Sequence, residues 1–184
     1  MTVLTSFAQK VWSRPGVAAA AATLGVGLAA IIAAWGFQLI GGYVPCKLCL
    51  QERIFYYVGL PFALAALVLF TRGQGRRLAL AFLAISGLSF LGGTALGIYH
   101  SGAEWAWWPG PSDCGGGSGP VTSAAELLEA LAHTVIVKCT EAAWRFPNFA
   151  WGLSFAGWNA AVSAFCSAAS FAGVGLAARQ GAAR

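Results

Sequence analysis

The sequence predicts an all-α membrane protein, a four-transmembrane-helix bundle with a short amphipathic surface helix in its second outer loop. Three observations carry that expectation. Of 184 residues, 58% are hydrophobic and only 9% are charged, against about 25% charged in an ordinary soluble domain. Four apolar runs approach or exceed the roughly 20 residues needed to cross a hydrocarbon core. The charges also sort by side. Lys10, Arg14, Arg72, Arg76, Arg77, Arg179 and Arg184 share one side with no acid, whereas Lys47, Arg53, Lys138 and Arg145 share the other with all six acids. By the positive-inside rule both termini are expected in the cytoplasm and the acid-bearing loops on the opposite, oxidising side. The formal charge of +5 is thus a topology signal. Split among three short segments, it does not describe a nucleic-acid surface.

Residues 1–16 are polar, and residues 17–40 form the first apolar run. That run is longer than the roughly 7–15 apolar residues of a secretory signal, so it reads as a retained span. Residues 41–53 are the first outer connection. The second span covers residues 54–71, where Pro61 is tolerable inside a packed bundle. Residues 72–77 form a tight basic turn. The third span, residues 78–99, carries Gly87, Gly92, Gly93 and Gly97, which permit close helix contact. Residues 100–148 are the long outer loop, residues 149–178 the fourth span, and residues 179–184 a basic tail. The chain reads as one integral membrane domain, 1–184.

The long loop has its own pattern. Trp105, Trp107 and Trp108 suit a headgroup layer. A Gly-rich stretch follows Cys114, with no strand before it to support a phosphate loop. Ser123 and Glu126 have capping-box spacing, and Ala124, Leu127, Leu128, Leu131 and Val135 repeat at helical spacing against Glu126, Glu129 and His133. This is the expected surface helix.

The chemistry concentrates at Cys46-x-x-Cys49. If the second apolar segment begins there as a helix, both cysteines lie on its first turn, where unpaired N–H groups and the positive dipole end favour a thiolate. Arg53, four residues beyond Cys49, shares its helix face and would add a fixed positive charge beside that sulfur. Cys46, Cys49, Cys114 and Cys139 all fall on the oxidising side, whereas Cys166 lies within a span and reads as core packing.

Each feature has a plainer alternative. Cys46 and Cys49 can be a structural disulfide or half of a zinc site, although Cys114 and Cys139 do not supply a second CxxC. Cys114 and Cys139 can be a stabilising staple, against which stands the Gly-rich exposure of Cys114. Arg53 can anchor a helix at the interface, and His100 can be an interfacial residue. Glu52 is explained by helix-start electrostatics and is left outside the site.

Taken together, Cys46-x-x-Cys49-x-x-Glu52-Arg53, Tyr99-His100, Trp108-Pro109-Gly110-Pro111 followed by Cys114, Lys138-Cys139-x-Glu141 and Trp144-Arg145 resemble the disulfide bond formation protein B family. The match covers roughly residues 20–175 in the family's order and four-span plan. Cys166, the Gly run after Cys114, and Lys47-Leu48 between the paired cysteines depart from it.

The resemblance implies a quinone-dependent protein-dithiol oxidoreductase that reoxidises a periplasmic DsbA-like, thioredoxin-fold oxidase. It implies that Cys114 and Cys139 form the loop disulfide the partner attacks, with Cys114 taking the mixed disulfide. Cys46 would then pair with Cys139, leaving Cys49 as a thiolate beside a bound quinone, ubiquinone or menaquinone. Arg53 would hold a quinone oxygen, and His100 would lie near the quinone at the outer end of the third span. No bound metal is implied. The rivals are a non-catalytic scaffold with stapled loops and a metal-binding membrane protein.

Overall fold

The computed structural model describes residues 14–111, 138–148 and 151–182. The surface helix expected near residues 123–135 and Cys114 both lie outside these residues.

Four long helices make the body: α1 Pro15–Leu39, α2 Lys47–Arg72, α3 Arg76–Glu104 and α4 Phe155–Ala182. Their lengths of 25, 26, 29 and 28 residues give about 37–44 Å at 1.5 Å per residue, more than a hydrocarbon core of about 30 Å requires. All four are long and apolar enough to cross a membrane. The chain is a four-helix multi-pass membrane protein, as expected from hydropathy. Each helix packs on its neighbours in a ring, most extensively α3 on α4 and α2, with α1 closing against α4 and α2.

Boundaries depart from the hydropathy pattern at the outer ends. Helix α2 starts at Lys47 rather than residue 54, and α3 runs on to Glu104 rather than stopping at residue 99. Helix α4 starts at Phe155 rather than residue 149. Ahead of it, the short strands β1 Arg145–Phe146 and β2 Leu153–Ser154 pair antiparallel and turn the chain into the helix. Hydropathy marks where lipid begins, while capping and tertiary packing decide where the helix begins.

The bundle places large apolar side chains outward and small polar ones inward. Ile32, Leu88, Leu91 and Phe165 are exposed, whereas Thr23, Ser86, Ser163, Ser167 and Ser170 are buried. In lipid there is no hydrophobic drive to join helices, so close contact and interhelical hydrogen bonds must do it. Thr23 and Ser170 join α1 to α4 through hydroxyls 3.0 Å apart. Ser86 donates to the Gly59 carbonyl at 2.9 Å and Ser167 to that of Gly87 at 3.0 Å. At the opposite end from the cysteines, Arg76 donates to the carbonyls of Ala177 and Ala178 at the end of α4.

At Gly97 the backbone of α3 packs directly against that of α4. A Cβ there would meet the Ala160 backbone nitrogen at 2.9 Å and its Cα at 3.0 Å. Gly97→Leu is therefore expected to force α3 and α4 apart and destabilise the bundle by about 1–3 kcal/mol or more. Gly25, with nothing within 4 Å of its Cβ position, is the control. Gly25→Ala should be neutral or stabilising by up to about 1 kcal/mol. Thermal unfolding in detergent compares the two, and an unaltered midpoint for Gly97→Leu would contradict the close approach.

Candidate redox site

Helix α2 begins in an unusual way. Its N-cap is Cys46, extended at φ −73° and ψ 172°, and the sulfur accepts from the Cys49 N–H at 3.2 Å. A serine or threonine hydroxyl commonly fills that role. Here a sulfur does, and an anionic sulfur suits it better because it faces the positive end of the helix. The Cys46 and Cys49 sulfurs lie 2.8 Å apart, beyond the ~2.05 Å of a disulfide bond, and are positioned to share a proton. Cys46 is also 3.6 Å from His100 Nε2. Hydrogen bonding from Cys49 is the largest influence on the Cys46 thiol, and with His100 it outweighs burial and pushes the thiol down to about 4.

Helix α3 supplies the other wall. Because it continues past Tyr99, His100 and Glu104 sit one turn apart on its buried face. His100 Nδ1 donates to Glu52 Oε1 at 2.8 Å, while Nε2 faces Cys46 and lies 3.9 Å from Glu104 Oε1. The Ser154 hydroxyl donates to Glu104 Oε2. Arg145 stacks 4.0 Å over Trp105 and donates to the Glu104 carbonyl at 3.4 Å, tying the segment before α4 to the end of α3. The Trp108 indole donates to the Tyr99 carbonyl at 2.8 Å.

Cys139 packs in one buried cluster with Cys46 and Leu48, and Cys49 and Leu96 pack against it. Cys139 is disulfide-bonded, and its partner lies outside the described residues. Cys166 instead belongs to the bundle core, packed with Ile31, Tyr56, Leu60 and Phe90.

Arg53 is buried but turns away from the paired sulfurs. It donates to Gln38 Oε1 at 2.6 Å and to the Ala34 carbonyl at 3.4 Å, and lies 5.1 Å over the Trp35 ring. The expectation that it sits beside Cys49 is thus modified: its charge is directed across to α1. Among the described residues its hydrogen-bond partners are neutral, and Glu52, Glu104 and Glu141 share the cavity it lines.

These residues surround a cavity of about 470 Å³, within the size range of small-molecule sites. Apolar Ile31, Phe37, Trp158 and Val162 line it, together with Cys46, Cys49, Glu52, Arg53, His100, Gln38 and Asn159. The Asn159 side-chain nitrogen is buried and has no hydrogen-bond partner among the described residues. An orphaned donor of this kind normally costs about 1–3 kcal/mol, which a ligand acceptor in the cavity would remove. A flat apolar ring with polar oxygens fits this lining.

Sequence reasoning reached Cys46, Cys49, Arg53 and His100 here. It did not reach Glu52, Glu104, Gln38 or Asn159. Glu52 follows Cys49 by three residues, a spacing that puts both on one helix face, and that was the available signal. The others converge from three different helices, and nothing in the local sequence shows it.

A helical bundle in the membrane, opening on a sulfur pair backed by a buried histidine and carboxylate, defines a membrane thiol–disulfide oxidoreductase. The sequence model of the family "Disulfide bond formation protein DsbB" matches residues 16–173. The chain belongs to that family, whose members are disulfide-forming oxidoreductases associated with quinones. No curated protein and no solved structure matches the chain.

Proposed function

We propose that this protein reoxidises a periplasmic DsbA-like dithiol oxidase and passes the electrons to a membrane quinone, from the bacterial inner membrane with both termini cytoplasmic. The observation that carries this reading is the burial of disulfide-bonded Cys139 against Cys46 and Cys49, which line the cavity.

In the proposed sequence the reduced partner's thiolate attacks the Cys114–Cys139 disulfide. A bond forms to Cys114 and Cys139 leaves as a thiolate. The partner's second thiolate then displaces Cys114 and departs oxidised. The two electrons now held by Cys114 and Cys139 move to the Cys46–Cys49 pair by two further exchanges: Cys139 bonds Cys46 and frees Cys49 as a thiolate, and Cys114 then displaces Cys46 from Cys139, restoring the loop disulfide. The packing of Cys139 on Cys46 supports the first exchange. His100 is placed to take or return a proton at Cys46, and Glu52 holds its ring in place.

The need for a lipid-soluble acceptor follows from magnitudes. The established potential of DsbA is about −120 mV, whereas ordinary structural disulfides lie below about −300 mV. The gap of about 180 mV is roughly 8 kcal/mol for two electrons, and helix-dipole stabilisation of about 0.3–2 kcal/mol cannot close it. A bound quinone supplies the two-electron acceptor. Arg53 and the unpartnered Asn159 amide are the donors we assign to its oxygens.

Purified protein tests the whole reading. Reduced thioredoxin-fold oxidase plus ubiquinone should give quinone consumption in proportion to partner oxidation. Inert loop disulfides and no consumption would favour the scaffold. For the acceptor site, Asn159→Leu and Arg53→Lys are each expected to weaken quinone affinity about tenfold, since each loses one donor worth about 1–1.5 kcal/mol. Quinone titration measures it, and unchanged affinity in both would remove these assignments.

A further inference from the structure

We propose that the reduced Cys46–Cys49 pair and His100 form a binding site for a thiophilic divalent cation of the zinc class, present only while the dithiol is reduced. The three ligand atoms lie within 4.8 Å of one another. With Zn–S near 2.3 Å and Zn–N near 2.0–2.1 Å, a tetrahedral site needs its sulfur and nitrogen about 3.6 Å apart and its two sulfurs about 3.8 Å apart. Cys46 Sγ and His100 Nε2 already stand 3.6 Å apart. The sulfurs, now at 2.8 Å, need to open by about 1 Å, a movement within the reach of a Cys49 side-chain rotation.

The surrounding groups match a metal-binding histidine. Such a histidine almost always donates its other ring N–H to a carboxylate or carbonyl, which fixes the ring and the free lone pair. Glu52 accepts from His100 Nδ1 at 2.8 Å, so Nε2 is the atom presented to the sulfurs. Glu104 Oε1, 3.9 Å from Nε2, is a carboxylate at hand for the fourth position, which water could otherwise fill. The Cys49 N–H bond to Cys46 Sγ holds that sulfur in place. Two sulfurs and an imidazole select zinc over magnesium or calcium, which prefer oxygen donors.

Binding is a ligand exchange with no change of oxidation state. The Cys49 S–H bond breaks, any proton held between Cys46 and His100 Nε2 is displaced, two metal–sulfur bonds and one metal–nitrogen bond form, and the protons leave to solvent. Once Cys46 and Cys49 are joined by a disulfide, both anionic ligands are gone and the cation is released. A bound cation therefore holds the protein in its reduced state with both sulfurs blocked. The site needs neither a quinone nor a partner protein, so it stands or falls separately from the proposed reaction.

The test uses full-length protein in detergent, with Cys114→Ser and Cys139→Ser so that the loop thiols cannot bind metal. Zinc titrated against a competing chelator should bind at one equivalent to the reduced form and be lost on oxidation. Glu52→Gln should weaken binding roughly 10–100-fold. X-ray absorption of the zinc-loaded protein carrying Glu52 should show two sulfurs near 2.3 Å and at least one nitrogen near 2.0–2.1 Å, a readout that stands even where Glu52→Gln fails to fold. Equal zinc affinity in the reduced and oxidised forms, or a shell without sulfur, would overturn the proposal.

Discussion

Cys49→Ser is expected to reduce quinone-linked turnover by roughly 10⁴-fold or more, the scale seen when a covalent nucleophile is removed. Two positions explain the size of the effect. Cys49 lines the cavity, and its sulfur is the direct neighbour of Cys46 at 2.8 Å. Serine preserves the helix turn and the N–H that reaches Cys46, so assembly should be little affected. Its hydroxyl cannot form a disulfide, and electrons reaching Cys46 then have no route onward. The measurement is quinone consumption with reduced partner under single- and multiple-turnover conditions. Turnover within about tenfold of the parent would remove Cys49 from the proposed path and leave the sulfur pair as a structural feature.

The second large effect is a trap. In Cys139→Ser, the Cys114 thiolate is expected to attack the disulfide of oxidised partner, bonding one partner sulfur and releasing the other as a thiol. Without Cys139 the loop thiol that would return to Cys114 is gone, and only the partner's own released thiol competes with that bond. A covalent one-to-one adduct should therefore accumulate, visible on a non-reducing gel and by intact mass, and disappear in Cys114→Ser with Cys139→Ser. The buried position of Cys139 against Cys46 is the structural ground for giving it the inward, resolving role. An adduct carried by Cys139 in the Cys114→Ser protein instead, with none through Cys114, would reverse the assignment.

The helices could be read from the sequence because lipid imposes a one-dimensional rule. Each span must be long, apolar and hydrogen-bonded within itself, so composition alone finds it. The Cys46 and Cys49 pair at the start of α2 could also be read, because its spacing is a local signature. Glu104 shows where this stops. Ser101, Gly102 and Ala103 before it and Trp105 after it read as loop, yet α3 continues because Trp108 closes over Gly102, where a Cβ would have no room. Propensity gave way to packing. Glu52 fails for another reason: near a helix start a carboxylate is ordinarily favourable, and only the rotation of α3 makes this one the buried partner of His100. Asn159 is polar on an apolar helix, but its lack of a partner is a property of three-dimensional space.

The N-cap of α2 links oxidation to backbone order. The N-cap sulfur of Cys46 belongs to the pair proposed to exchange electrons, so the atom that accepts from the Cys49 amide would be an anion in one redox state and half of a disulfide in the other. A disulfide sulfur is a weaker acceptor than a thiolate, so the proposed oxidation of the pair is expected to loosen the first turn of α2 and its reduction to firm it.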